Sequence, residues 1–268
     1  MSFVVAKDLT RQFDLSDPWL VRALTMRPRH VLTAVDAVSF SIEKGTTYAL
    51  VGESGSGKST MAKMAVGLLS PSSGQILVDG FNLNDRQSQG ETLNTYRQKI
   101  QMVFQSPYAS LNPRWRVKEI LLEPILAFGL ISDKSQRQRR VAELLEQVGL
   151  SPSDGDKYPH EFSGGQRQRI SIARALASQP QFIVCDEPTS ALDVSVQAQV
   201  LNLLKTLQKE FGLTYLFITH DLAVVSNVAD RIGVLKGGKL VEENQTHRLF
   251  ADPKHEYTRM LLDSAPRI

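Results

Sequence analysis

Apolar and polar residues alternate from Val35 to Ile42 (VDAVSFSI), the period-two pattern of a strand with one buried face, and Glu43, Lys44 and Gly45 make a turn after it. Thr47 to Val51 is a short run of β-formers. A glycine-rich stretch at 52–57 follows and leads into a segment of helical character from Lys58 to Leu69. Pro71 to Gly74 is a turn cluster, Gln75 to Val78 reads as a strand, and Asp79-Gly80 is a hairpin signal. Arg97 to Gln105 (RQKIQMVFQ) ends in another apolar run. From about 106 to 175 the character changes. Prolines at 107, 113 and 124 precede the helix-favouring SQRQRRVAELLEQVGL, in which Val141, Leu144, Leu145 and Val148 share one helical face. Phe182 to Cys185 and Leu213 to Thr219 are continuous apolar runs of the kind buried on both faces, with a helix between them around Val194 to Phe211. Strands alternating with helices predict an α/β fold around a mainly parallel sheet, with the helical middle as an inserted subdomain.

The stretch Gly52-Glu53-Ser54-Gly55-Ser56-Gly57-Lys58-Ser59, followed by Thr60, satisfies G-x-x-x-x-G-K-[ST] and lies between a predicted strand and a predicted helix, the context the pattern requires. Its glycines let the backbone curl so that N–H groups point at phosphate oxygens, and the helix adds its positive end. Lys58 would reach the outer phosphates and the Ser59 hydroxyl would ligate Mg²⁺. A bound nucleotide next needs a carboxylate at the end of a neighbouring buried strand, and FIVC-Asp186-Glu187 supplies two. Asp186 would sit in the metal's shell and Glu187 would polarise the attacking water. The plainer readings are a Gly/Ser turn and a solvated acidic turn, but neither explains why both motifs occur together in one chain.

Phe162-Ser163-Gly164-Gly165-Gln166 runs straight into the helix-favouring RQRISIARALA. A hydroxyl and close-approaching backbone N–H groups at a helix start form a second anion site. Two phosphate-binding surfaces and one nucleotide pocket predict a two-fold dimer with nucleotide between the chains.

Composition narrows the class. The 268 residues are 42% hydrophobic, 22% charged and 7% aromatic, an ordinary globular profile that excludes a disordered or disulfide-stapled chain. With 31 Lys plus Arg against 28 Asp plus Glu, the net charge of +3 is too mild for a nucleic-acid binder. The single cysteine, Cys185, fits a reducing compartment. No stretch approaches the ~18 apolar residues of a membrane span and the N-terminus lacks a signal-peptide pattern, so a membrane link is expected through a partner.

These motifs together resemble the ATP-binding subunits of ABC transporters, over nearly the whole chain and in the family's order: GESGSGKST at 52–60, FSGGQ at 162–166, FIVCDE at 182–187, SALD at 190–193 and THD at 219–221. The segments Gln105-Ser-Pro-Tyr-Ala-Ser-Leu-Asn-Pro113 and His255-Glu-Tyr-Thr-Arg-Met-Leu-Leu are similar to the oligopeptide and dipeptide import branch. The resemblance implies a P-loop NTPase (RecA-like) core at 1–105 and 176–240 with an antiparallel β subdomain, a helical subdomain at 106–175 and a C-terminal extension at 241–268. It implies ATP and Mg²⁺ as ligands, with Gln105 sensing the metal and γ-phosphate, His220 as the switch histidine, Asp193 at the dimer interface, and Phe13 stacking on adenine. A core strand residue is the other reading of Phe13. Ser163 to Gln166 of one chain would cover nucleotide held by the other.

Phe162 replaces the family's usual leucine while keeping its bulk. No cysteine follows Cys185, so no iron–sulfur cluster is expected. The interval from Asp14 to Thr33, with Trp19-Leu-Val-Arg-Ala-Leu-Thr-Met, Arg27, Arg29 and His30, reads as a solvated excursion or a subunit contact. The implied partners are a second ATP-binding subunit (identical or homologous), permease subunits and an extracytoplasmic solute-binding protein, with no nucleic acid. The implied place is the cytoplasmic face of the membrane, peripherally, and the implied activity is ATP hydrolysis coupled to peptide-type import. A soluble ABC-type ATPase of DNA repair or translation is the alternative; the absence of sustained heptads between Lys58 and Phe162, and of a second cassette, argues against it.

Overall fold

The structure, a computed structural model, describes residues 2–17, 21–22, 28–82 and 91–264. In chain order the elements are β1 (Ser2–Asp14), β2 (Val31–Glu43), β3 (Thr47–Val51), α1 (Lys58–Ala65), β4 (Ser73–Val78), β5 (Phe81–Asn82), α2 (Glu91–Lys99) and β6 (Ile100–Val103). Next come α3 (Pro107–Ser110), α4 (Val117–Ala127), α5 (Lys134–Gln147), α6 (Gly164–Leu176), β7 (Phe182–Asp186), α7 (Val194–Phe211) and β8 (Thr214–Thr219). The chain finishes with α8 (Leu222–Val228), β9 (Arg231–Lys236), β10 (Lys239–Gln245), α9 (Thr246–Ala251) and α10 (Glu256–Ser264).

Two sheets organise these elements. A six-stranded sheet has the order β10-β9-β3-β8-β7-β6, parallel throughout except for β10. A four-stranded antiparallel sheet has the order β2-β1-β4-β5. The central strands read as continuous apolar runs because both of their faces are covered. Leu216 and Ile218 of β8 join a core with Met61 of α1 and Ile76 of β4, between the two sheets. Tyr215 and Phe217, on the opposite face, join Ile120, Leu144, Ile170 and Leu204 from α4 to α7. Val141, Leu144, Leu145 and Val148 are all buried in that second core, as their shared helical face predicts. A third core, with Val51, Val225, Val234, Leu249 and Tyr257, seats α8 to α10 against the β9 side.

Parallel pairing is what places the chemistry. Val51 lies opposite Thr219 and Asp186 opposite Ile218, so β3, β7 and β8 end at one edge and deliver the phosphate loop, Asp186-Glu187 and His220 to the same side.

Several local expectations are refined. The helix after the phosphate loop stops at Ala65, not Leu69, because Gly67 takes φ 72° and the Gly67 and Leu68 N–H groups turn back to Met64 and Lys63. Asp79 and Gly80, both at positive φ, do form the two-residue turn between β4 and β5. The strand β1 lacks a clean sequence period because register shifts interrupt its pairing with β2, with Asp8 and Ala37 at positive φ. At the base of the 14–33 interval the strands continue outward, Phe13 opposite Leu32 and Asp14 opposite Val31, and Leu15 N–H donates to His30 O at 2.8 Å. Within that interval Trp19, Leu20, the 23–26 stretch and Arg27 lie outside the described residues, as do 265–268 of the expected C-terminal extension.

Candidate functional site

The phosphate loop springs from β3, whose five residues are all buried. Gly57 closes the loop at φ 104°, and a Cβ there would come within 2.3 Å of the Ala34 carbonyl oxygen, so only glycine fits. The loop is tied to itself by Ser56 N–H to Glu53 O at 3.2 Å and to the β9–β10 turn by Gly238 N–H to Ser56 O at 3.0 Å. Lys58 opens α1 and is 5% exposed; its ammonium donates to Gly52 O at 2.7 Å and Glu53 O at 2.8 Å. Burial pushes the Lys58 pKa below its ordinary value, against the opposing pull of Glu187, Asp186 and Glu53.

Across from the loop, Ser59 Oγ donates to Asp186 Oδ1 at 3.2 Å. Burial raises the Asp186 pKa, the Ser59 hydrogen bond works against this, and the neighbouring charge of Glu187 adds to it. The next residue, Glu187, adopts φ 46°, the left-handed region that a side chain occupies at a cost of about 1–3 kcal/mol. Its N–H donates to Ile218 O at 2.8 Å, which pins the turn to β8. Both carboxylate oxygens are engaged: Gln105 Nε2 donates to Oε2 at 2.9 Å, and His220 Nδ1 lies 3.2 Å from Oε1. A carboxylate held by two polar groups beside an anion-binding loop is placed to orient and polarise a water.

Between these groups lies an open cleft of about 710 Å³. Gly52, Glu53, Ser54, Gly55, Gly57, Lys58, Ser59 and Thr60 form its floor, with Gln105, Glu187 and His220 on one wall and Phe13, Leu32 and Ala34 on another. Ser56 is buried and does not line it. The Phe13 ring carries the Arg11 guanidinium 4.7 Å from its centroid, a cation–π contact. Leu261 of α10 also reaches the wall, and Tyr257 Oη accepts a hydrogen bond from Glu53 N–H at 3.1 Å. Neither contribution follows from the local pattern: the HEYTRMLL segment resembles the import branch and says nothing of these contacts.

The structure does not bring Ser163, Gly164, Gly165 or Gln166 to this cleft. Ser163 is the N-cap of α6 in a capping box: its hydroxyl accepts from Gln166 N–H at 3.3 Å, and Gln166 Oε1 accepts from Ser163 N–H at 3.0 Å. Ser163, Gly164 and Gln166 are exposed, and Gly165 is buried where a Cβ would strike Val196 Cγ1 at 2.3 Å. Asp193 is exposed at the N-cap of α7.

The family model described as ABC transporter matches residues 35–190. The chain belongs to the ABC transporter family. It is 54% identical over 239 residues to the oligopeptide transport ATP-binding protein OppF of Bacillus subtilis, covering 89% of this chain and 78% of that protein. It is 50% identical over 269 residues to a putative peptide import ATP-binding protein of Brucella abortus, covering 99% and 77%. Among solved structures, a dimeric ATP-binding cassette in a post-hydrolysis state with ADP and Pi aligns with TM-score 0.76 and 31% identity, covering 91% of this chain and 98% of that one. The chain is therefore an ABC-type ATPase with the cassette fold, a P-loop core carrying an antiparallel β-sheet and helices. The alternative in DNA repair or translation gains no support from these relatives. Among the described residues no helix is long and apolar enough to cross a membrane.

Proposed function

We propose that this ABC ATPase powers the uptake of peptides or related small solutes through a membrane permease, from the cytoplasmic face of the membrane, with a second ATPase subunit and an extracytoplasmic solute-binding protein as further partners. The observation that carries ATP hydrolysis in this reading is Glu187 clasped between Gln105 and His220 at the edge of the phosphate loop, while peptide uptake rests on the kinship with peptide import ATP-binding proteins. Lys58 and the loop N–H groups hold the phosphates, Glu187 takes the proton of the attacking water, and His220 steadies Glu187 and the γ-phosphate. The donor set fits Mg²⁺: the Ser59 hydroxyl and the Asp186 carboxylate already meet, and Gln105 spends its amide N–H on Glu187, which leaves its oxygen as an acceptor. When bound, Mg²⁺ would neutralise phosphate charge. Phe13 offers the ring face away from Arg11 to adenine.

Ser163 to Gln166 close over the nucleotide of the other subunit, and Asp193 joins that interface. The division into a core at 1–105 and 176–240, a helical subdomain at 106–175 and an extension at 241–268 makes Gln105 the hinge between the first two. Beside that hinge, a groove of about 290 Å³ carries Leu68, Met102, Phe104, Pro124 and Phe128, with Leu68 64% and Phe104 37% exposed. The groove is mixed, with the Glu123–Arg174 ion pair beside its apolar residues, and a partly apolar groove between a moving subdomain and the core suits a permease helix. Two experiments test the reading. Glu187→Gln should bind MgATP and accumulate as a dimer by light scattering; a chain that stays monomeric at saturating MgATP contradicts it. Affinity capture of the whole chain from membranes should retain a polytopic membrane protein, and retention of ribosomes instead would favour the soluble alternative.

A further inference from the structure

The C-terminal helix reaches back to the catalytic end of the chain. Its start is anchored by Glu242 of β10, whose carboxylate accepts from Lys254 N–H at 2.8 Å and His255 N–H at 2.9 Å, while His255 Nδ1 accepts from Tyr257 N–H at 3.1 Å. Burial alone would raise the Glu242 pKa, but the interactions with Lys254, Thr258 and His255 together more than offset it and hold it below the ordinary value. This anchoring sets where Tyr257 enters the third core, 3% exposed, with Lys236 Nζ 4.7 Å from its ring centroid.

The Tyr257 hydroxyl then meets the phosphate loop from behind. One peptide unit, Gly52–Glu53, is gripped at both ends: its oxygen accepts from Lys58 Nζ at 2.7 Å, and its N–H donates to Tyr257 Oη at 3.1 Å. A phosphate loop works through the direction in which its backbone dipoles point. A peptide fixed at both poles cannot rotate without breaking two hydrogen bonds. One helical turn on, Leu261 forms part of the cleft wall. We propose that Tyr257 is a positioning residue for nucleotide binding: through Glu53 N–H it holds the Gly52–Glu53 peptide in its binding orientation, and so makes the HEYTRMLL helix a working part of the nucleotide site. This rests on the nucleotide reading of the cleft.

The test uses the full chain and Tyr257→Phe, which keeps the ring and its packing and removes only the hydroxyl. Loss of one such hydrogen bond should weaken MgATP and MgADP binding about three- to tenfold, read as a Kd by titration with a fluorescent nucleotide. Amide exchange of the loop peptide containing Glu53 should accelerate, while Met260→Ala, on the exposed side of the same helix, leaves both quantities at the wild-type level. A Tyr257→Phe chain with unchanged Kd and unchanged loop exchange overturns the inference, as does one that only melts earlier. In either case wild-type binding that Lys58→Ala abolishes leaves the cleft reading standing. A wild-type chain that binds no nucleotide overturns both.

Discussion

The phosphate loop and the start of α6 are finished in opposite ways. Around the phosphate loop the polar contacts reach to distant elements: Ser59 to Asp186 of β7, Glu187 to Gln105 after β6 and His220 after β8, and Glu53 to Tyr257 of α10, while Lys58 donates to carbonyls of its own loop. At the start of α6 the polar groups answer one another, with Ser163 and Gln166 closed into a capping box whose members face outward. The first end is a site built by the tertiary fold. The second is a stable helix start that the fold leaves at the surface beside buried Gly165. The difference matches the proposed division of labour, in which one end does chemistry within its own chain and the other meets a ligand held by a second subunit.

Glu187→Gln sharpens the first half of the comparison most. Removal of the base should lower ATP turnover by roughly 10²–10⁴-fold in a phosphate-release assay, with Kd for MgATP preserved; normal turnover would remove Glu187 from its role. Ser163→Arg probes the second half. A clash of one to three kcal/mol at a closing interface should cut turnover by roughly five- to a hundredfold, while nucleotide binding to the isolated chain stays within about twofold. If binding to the isolated chain falls in parallel, the two ends are not separate. The smallest effect tests the frame beneath the cleft. Burial pushes the Cys185 thiol far above its ordinary pKa, so it stays protonated and a thiol reagent at pH 8 should leave it unlabelled until the chain unfolds. Rapid native labelling would show that β7 opens.

The motif residues were legible because each set is contiguous: 52–60, 162–166 and 186–187 carry their chemistry in local spacing. The strands β3, β7 and β8 were legible as unbroken apolar runs, and α7 by its length between two of them. The bulged strand β1 was not, since positive φ at Asp8 and register shifts break the alternation a reader looks for. Nor was β10, which is half-buried along nearly its whole length and so shows no contrast between faces. Within the site, Gln105 and His220 came from the family resemblance, because a lone glutamine or histidine at a strand end carries no pattern of its own. Leu32, Leu261 and the Tyr257–Glu53 hydrogen bond were invisible: the last joins positions 204 residues apart, and only the packing of α10 reveals it.

The most direct measurement mixes two impaired chains, Lys58→Ala and Ser163→Arg, and compares the mixture with the residual turnover of each alone. If one subunit's loop works with the other's helix start, the mixed dimer contains one composite site with both parts intact, and ATP turnover should return when the chains are combined. Mixed dimers verified by cross-linking that hydrolyse ATP no faster than either chain alone would contradict the account.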